Sequence, residues 1–460
     1  MHMAVRLTSN ALAAGTTLVV GLGKTGVSIA RFLLERGERF AVADSRDNPP
    51  GLAEFRREFP SVQLYLGAFD DVVFGSAARL ILSPGVSVHE TAVVAAQRCA
   101  VPVLGDVELF AQLADAPVLA ITGSNGKSTV TTLVGEMAQA AGLKTRVGGN
   151  LGTPALELLR TSLQEGAPDL YVLELSSFQL ETTRSLRCRA ATVLNISADH
   201  LDRHTDMAEY AAIKQRIFAG DGVMVLNAED PVVREMAVAG RDIRWFTLSE
   251  PKSEYEYGLR NQSGKPWLCR GSECLLAAEE LGIAGRHNWA NALAALALGD
   301  AIGLTRPAML HVLKQFTGLP HRCQRVAQIK GVNWYDDSKG TNVGSTLAAI
   351  SGMPGNKVVL IAGGDGKGQD FSPLRSVVME RARAVVLIGR DAPLIAKVLG
   401  DTVPVVQAGT SMERAVSEAA RLAQPGDSVL LSPACASFDM FNNYMHRAEV
   451  FVTAVRGLQS

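Results

Sequence analysis

Net charge is almost absent from this chain: 45 lysines and arginines stand against 46 aspartates and glutamates in 460 residues. That balance excludes a nucleic-acid binder held by bulk electrostatics and leaves only a local basic cleft. Cysteine is sparse, and Cys99, Cys188, Cys269, Cys274, Cys323 and Cys435 form no C-x-x-C pair and have no histidine at zinc spacing. Free thiols in a reducing cytoplasm fit that scatter better than a disulfide framework. No run of about 18 apolar residues occurs, so no membrane span is expected. The longest candidate, WANALAALALGDAIGL, is interrupted by Asp300 and reads as a packed helix. The N-terminal stretch MHMAVRLTSNALAAG lacks an apolar core of secretory length. Internal repeats and low-complexity segments are missing as well.

What remains has the composition of a soluble globular protein, 47% hydrophobic and 20% charged. At ~150 residues per domain, the length suggests about three domains. Short β-branched runs such as TTLVVG, RFAVAD, PVLAITG, LYVLELSS, ATVLNIS, KVVLIAGG and SVLLSPA alternate with Ala/Leu-rich segments at helical spacing. Several runs are apolar throughout, as strands buried on both faces of a parallel sheet are. The expectation is an α/β chain of doubly wound sheets, with domains at 1–107, 108–318 and 319–460. The polar stretch EPKSEYEYGLRNQSGKPWLCRGSE predicts small antiparallel strands.

Two glycine loops compete for a nucleotide. Gly21, Gly23 and Gly26 form G-x-G-x-x-G between a strand and a helix, with Asp44 closing the next strand where a ribose-binding acid belongs. The same loop also suits the diphosphate of a nucleotide sugar, or a turn that needs glycine for packing alone. The second loop, TGSNGKST, follows a buried strand and opens a helix. Gly123 and Gly126 let backbone N–H groups turn toward phosphate oxygens. Lys127 supplies a cation, and Ser128 or Thr129 a hydroxyl for Mg²⁺. Ile121 stands where a standard phosphate loop has its first glycine; the loop is shorter but keeps its donors. Glu174 lies in an apolar strand, where an unpaired carboxylate costs several kcal/mol, and a metal facing Lys127 would account for it. His200 reads as either a metal ligand or a loop histidine. Lys214, on composition alone, reads as a solvated lysine.

Taken together, TGSNGKST, ELSSFQLE, LNISADHLDRH, GRHNWANALAA, FTGLPHR, DDSKGTN, GGDGKGQDFSPL and LSPACASFD resemble motifs of the Mur ligase family, in family order and over almost the whole chain. That family forms amide bonds in peptidoglycan precursor synthesis, and the last two motifs with SSFQLETT look like its D-glutamate-adding member. The resemblance implies a UDP-sugar-binding Rossmann-like domain, a central ATPase domain and a C-terminal Rossmann-like domain. It further implies a cytoplasmic, monomeric enzyme with ATP, two Mg²⁺ ions, UDP-N-acetylmuramoyl-L-alanine and D-glutamate as its small-molecule partners.

The resemblance also carries residue roles. Gly123, Ser124, Asn125, Gly126, Lys127, Ser128, Thr129, Asn288, Asn291, Arg322, Asp337 and Lys339 are expected around ATP. Gly23, Lys24, Thr25, Asp44, Ser45, Arg46, Ser83, Gly85, Asn150 and His200 are expected around the UDP-sugar. Thr341, Lys367, Ser437, Phe438 and Tyr444 are expected around D-glutamate. Ser128 or Thr129 with Glu174 would hold one Mg²⁺, and His200 with a carbamylated Lys214 the other; Lys127, Glu174, His200 and Lys214 make up the catalytic set. Gln324, Gly340 and Tyr444 depart from the usual family residues, and Gly340 is expected to add only backbone freedom. A sister ligase or folylpolyglutamate ligase using another amino acid, L-glutamate included, is the nearest alternative. An NAD(P)-dependent oxidoreductase is a more distant one.

Overall fold

The computed structural model describes residues 11–283 and 285–458; residues 1–10, part of the N-terminal stretch read above, lie outside it. Three sheets follow one another along the described chain. The first contains β1 (Thr17–Val20), β2 (Phe40–Asp44), β3 (Leu64–Leu66), β4 (Arg79–Leu82) and β5 (Val103–Gly105), ordered 3-2-1-4-5 and parallel throughout. The apolar runs behave as the pattern requires: β1 and β2 are buried along their whole length, with helices on both faces of the sheet.

The second sheet begins with β6 (Val118–Thr122), β7 (Thr145–Gly149), β8 (Leu170–Glu174), β9 (Ala190–Val193), β10 (Val223–Asn227) and β11 (Ile243–Phe246). It continues through β12 (Glu256–Gln262), β13 (Lys265–Arg270) and β14 (Glu273–Ala277), in the order 14-13-12-11-10-9-6-8-7. Strands β12 to β14 pair antiparallel, as the polar stretch predicts, while the rest of the sheet is parallel. The third sheet has β15 (Gln324–Ile329), β16 (Val332–Asp336), β17 (Val358–Gly363), β18 (Ala382–Ile388), β19 (Val405–Gly409) and β20 (Ser428–Leu431), ordered 15-16-20-17-18-19. Only its β15–β16 edge is antiparallel.

These orders decide where chemistry can happen. In an open parallel sheet, ligands bind beyond the carboxyl ends of strands whose connections leave on opposite sides. In the second sheet that strand is β6, flanked by β8 and β9. The segments after β6, after β8 and after β9 therefore rise around one crevice. The first and second sheets are joined by a shared apolar cluster running from Val19 and Phe32 to Phe110, Leu156 and Leu173. An Arg160–Glu35 ion pair lies beside that cluster. The third sheet contributes its own loops to the same crevice.

Candidate active site

The phosphate-type loop starts where β6 ends. Gly123 (φ 148°) and Gly126 (φ 82°) both have positive φ, a conformation that any L side chain would strain. A Cβ on Gly126 would also stand 2.5 Å from Asn291 Oδ1, so a side chain there would push that amide aside. The helix Lys127–Ala140 follows, with Lys127 as its first residue and without an acidic residue in its first turn. Lys127 Nζ folds back and donates to the carbonyls of Gly123 and Ser124, both at 2.9 Å. Burial pushes its ammonium below the ordinary lysine value, against the pull of Glu174 and Asp199.

Glu174 closes β8 in register with Ile121 of β6 and is only 3% exposed. One carboxylate oxygen accepts from Asn150 Nδ2 at 2.7 Å, while the other is buried without a partner. A buried, half-satisfied carboxylate beside a phosphate-type loop suits a divalent cation. Ser128 and Thr129 are buried at the start of the helix. Among the described residues, no cluster of three or more His, Cys, Asp and Glu side chains has the geometry to hold a metal. The donors present, one half-satisfied carboxylate and two hydroxyls, form an open set. That fits Mg²⁺, which keeps waters and shares substrate phosphates.

His200 sits in the left-handed region (φ 56°) just beyond β9. Its ring meets the edge of Phe178 at 4.8 Å, and burial lowers its pKa to about 4. At neutral pH it therefore presents an uncharged imidazole. Lys214 corrects the reading from composition: it is 1% exposed rather than solvated. The helix Met207–Gln215 turns it inward, where Nζ donates to Gly123 O at 3.0 Å and Thr122 Oγ1 at 3.2 Å over the Tyr210 ring. Burial, with Lys127 nearby, pushes its amine well below the ordinary value.

The third domain closes the crevice from the other side. Arg322 Nη2 donates to Ser128 Oγ at 2.7 Å, linking residues 194 apart in sequence. Lys367 Nζ pairs with Asp199 Oδ1 at 2.5 Å. Asn342 Nδ2 reaches both Asp199 Oδ2 (3.0 Å) and Asn125 Oδ1 (3.1 Å). Lys339 lies over the Tyr444 ring at 4.0 Å, and burial lowers its pKa to about 8. Asp337 accepts from Ser432 Oγ at 2.7 Å and from the Cys323 N–H at 3.2 Å, and burial raises its pKa to about 7.

A single cleft of about 320 Å³ collects Ser124, Asn125, Gly126, Lys127, Ser128, Asn150, Glu174, His200, Lys214, Arg322, Lys339, Thr341, Lys367, Ser437, Phe438 and Tyr444. Gly123, Thr129, Asn291 and Asp337 stand just behind its lining, with Asn291 Nδ2 donating to Asn288 Oδ1 at 3.1 Å. The first-domain set lies apart, around the carboxyl ends of β1, β2 and β4. There Asp44 Oδ2 accepts from the Leu22 N–H at 2.7 Å and pairs with Arg46, while Ser83 Oγ donates to Gly21 O at 2.8 Å. Asp44 thus pins the glycine loop in addition to any ligand role; Gly23, Lys24, Thr25, Ser45 and Gly85 surround the same turn.

Asp199 and Asn342 also belong to the cleft, although the sequence reading gave neither a role. Each adjoins a residue that was given one, His200 and Thr341, and that adjacency was the available signal. Gly340 corrects another expectation. A Cβ there would lie 2.5 Å from Asp337 Oδ2 and 2.8 Å from Ser432 Oγ, so the glycine preserves packing as well as backbone freedom.

Fold and cleft together define a multidomain α/β protein in which a phosphate-type loop of the second domain and loops of the third line one cleft. Family models place it further: a MurD-like Mur ligase N-terminal domain over residues 15–105, a Mur ligase middle domain over 121–299, and a Mur ligase glutamate ligase domain over 321–435. The chain belongs to the Mur ligase family. It is 54% identical to the UDP-N-acetylmuramoylalanine–D-glutamate ligase of Nitrosococcus oceani, over 97% of this chain and 98% of that one. It is 55% identical to the enzyme of the same name from Methylobacillus flagellatus, over 96% and 97%. Among solved structures, the UDP-N-acetylmuramate–alanine ligase of Thermotoga maritima shares the fold at a TM-score of 0.60 and 17% identity, covering 96% of this chain and 99% of that one. Family membership removes the nicotinamide oxidoreductase alternative.

Proposed function

We propose that this chain is an ATP-dependent ligase that joins D-glutamate to UDP-N-acetylmuramoyl-L-alanine, releasing ADP and phosphate, in the synthesis of peptidoglycan precursor. The carrying observation is the convergence, in one cleft, of the middle domain's Lys127 and Glu174 with the third domain's Lys339, Thr341, Lys367 and Ser437. Full-length relatives at 54–55% identity that bear the D-glutamate ligase name support the choice of substrate.

In this reading the alanyl carboxylate attacks the γ-phosphate of ATP, and the amine of D-glutamate then attacks the resulting acyl phosphate. Two anions must first meet, so the cleft concentrates cations. Lys127 lets go of its own loop carbonyls to hold the β- and γ-phosphates, and Arg322 and Lys339 approach from the third domain. Mg²⁺, two ions in this proposal, neutralises phosphate charge when bound by Ser128 or Thr129, Glu174, His200 and Lys214. The low-pKa amine of Lys214 suits carbamylation, which requires an unprotonated nitrogen. Asn150 orients Glu174 and lies where the UDP-sugar's carboxylate would enter. Lys367, Thr341, Ser437, Phe438 and Tyr444 form the amino-acid pocket, with Lys367 exchanging Asp199 for a substrate carboxylate. Gly23, Lys24, Thr25, Asp44, Ser45, Arg46, Ser83 and Gly85 hold the uridine diphosphate, while Asn288, Asn291 and Asp337 hold the adenosine. A monomeric, cytoplasmic enzyme completes the reading; among the described residues, no helix is long and apolar enough to cross a membrane.

The test is phosphate release from purified chain with UDP-N-acetylmuramoyl-L-alanine, ATP and Mg²⁺ on adding D-glutamate, with L-glutamate and other amino acids in parallel. No release with D-glutamate refutes the proposal, and release with a different amino acid redirects it to a sister ligase.

A further inference from the structure

Arg447 is one of the largest fully buried side chains in the molecule, 1% exposed, in the first turn of the helix Tyr444–Gly457. Its guanidinium makes four hydrogen bonds, all to neutral oxygens. Nε donates to Ser338 Oγ at 3.0 Å and Nη2 to Ser338 O at 2.7 Å. Nη1 donates to Cys435 O at 3.1 Å and Ala436 O at 3.3 Å. Ser338 Oγ in turn donates to Tyr444 O at 2.8 Å, closing a ring. Burying a cation whose hydrogen bonds all go to neutral oxygens is costly, a cost that Asp336, Asp337 and Asp439 nearby offset only in part, and an apolar side chain would fill the space without that penalty. The arrangement therefore calls for a reason beyond packing.

The placement of its partners supplies one. Ser338 directly precedes Lys339 and lies three residues before Thr341; Cys435 and Ala436 directly precede Ser437 and Phe438; Tyr444 opens the helix that carries Arg447. Those three segments form much of the third domain's wall of the cleft, beside Arg322 and Lys367. They come from the ends of β16 and β20 and from the C-terminal helix, and Arg447 joins all three. A planar five-donor fork can span two loops in fixed geometry, whereas a lysine offers one point charge.

We propose that Arg447 is a positioning residue of the amino-acid pocket, a buried clamp that holds the Ser338–Thr341 and Cys435–Phe438 loops at the spacing the incoming amino acid requires. The inference rests on the ligase reading for the identity of that amino acid. Arg447 touches no substrate; it acts through the loops it ties. The two half-reactions separate this role from general structure, because acyl-phosphate formation precedes amino-acid attack and uses mainly the middle domain.

The experiment compares full-length wild type, Arg447→Lys, Arg447→Ala and Ser338→Ala. In each, KM is measured for D-glutamate, ATP and the UDP-sugar, acyl phosphate formed without D-glutamate is trapped by borohydride, and melting temperature is recorded. Arg447→Lys is expected to raise KM for D-glutamate at least tenfold. KM for the UDP-sugar, and the acyl phosphate trapped at saturating ATP, should stay within about twofold, while KM for ATP, whose phosphates Lys339 on the same loop approaches, should rise by less than KM for D-glutamate. Ser338→Ala, which removes one of the four hydrogen bonds, should move the same KM in the same direction by less. Added guanidinium ion should restore part of the D-glutamate affinity of Arg447→Ala; if that variant does not fold, the lysine and serine variants decide. An equal rise in all three KM values, or an unchanged KM for D-glutamate, overturns the proposal. If wild type itself couples a different amino acid, the D-glutamate reading falls and the same KM split, taken with that amino acid, still decides the clamp.

Discussion

Replacing Lys127 with alanine should separate stability from catalysis, because the structure gives the side chain little folding work. In the closed loop its ammonium holds two backbone carbonyls, Gly123 O and Ser124 O. Hydrogen bonds from a charged donor are worth about 1.5–3 kcal/mol each when removed from a buried partner. Against that stand two costs that the substitution relieves. The ammonium is desolvated enough to be pushed below its ordinary value. It also sits at a helix N-terminus, an unfavourable place for a cation by about 0.3–1 kcal/mol. These contributions largely offset, so Lys127→Ala should change unfolding free energy by no more than about 2 kcal/mol, a shift of only several degrees for a chain of this size. Turnover should fall much further. Removing a charged donor aimed at developing negative charge costs about 2.7–4 kcal/mol, roughly 10²–10³ in kcat. Phosphate release at saturating substrates, with calorimetric melting of the same preparation, measures both. A fall in turnover below tenfold would refute the assignment of this loop to ATP. A melting point lowered by more than about 10 °C would show instead that Lys127 is structural.

Glu174→Gln should raise the Mg²⁺ concentration needed for half-maximal phosphate release at least tenfold, since the unpartnered buried oxygen becomes a neutral amide; an unchanged Mg²⁺ titration would remove Glu174 from the metal. Gly126→Ala should destabilise the protein by about 1–2 kcal/mol through its positive φ alone. It should also raise KM for ATP by displacing Asn291; denaturant melts and ATP titrations check the pair, and a variant with wild-type values in both would show that the turn tolerates a side chain. Asp337 has its carboxyl pKa raised from 3.8 to about 7, so the folded state holds a proton that the unfolded state releases above pH 4. Its contribution is fully present below about pH 4 and lost as pH rises to 7, so stability falls across that window. Asp337→Asn should remove that slope from the melting temperature measured between pH 4 and 8, and a slope that persists unchanged would place its origin elsewhere.

How much of this was legible in sequence differs by residue, for physical reasons. The strands were readable because a parallel sheet covered on both faces demands uninterrupted apolar runs, and β1, β2, β6, β8 and β20 supply them. The phosphate-type loop was readable because glycines, lysine and hydroxyls must adjoin one another within a single turn. Lys214 was not. Its helix is only weakly amphipathic and its neighbours in sequence are ordinary, so nothing local marks it as buried. Asp199 and Asn342 were hidden for a related reason, since their partners come from another domain. Arg447 was silent altogether, looking like any helical arginine until β16 and β20 place their ends on either side of it.

The sequence by itself thus determined the α/β class and the phosphate-type loop, which depend on residues within one strand–turn–helix unit, and the family, which depends on the order of short local motifs along the chain. Tertiary structure alone decided which cations share the cleft, which carboxylate oxygen goes unpartnered, and which buried charges hold the third domain's loops. Those properties come from contacts between residues up to 217 apart, as in the Asn342–Asn125 hydrogen bond. Burial and electrostatic coupling at such separations exist only once the strand order has brought the ends of different sheets together.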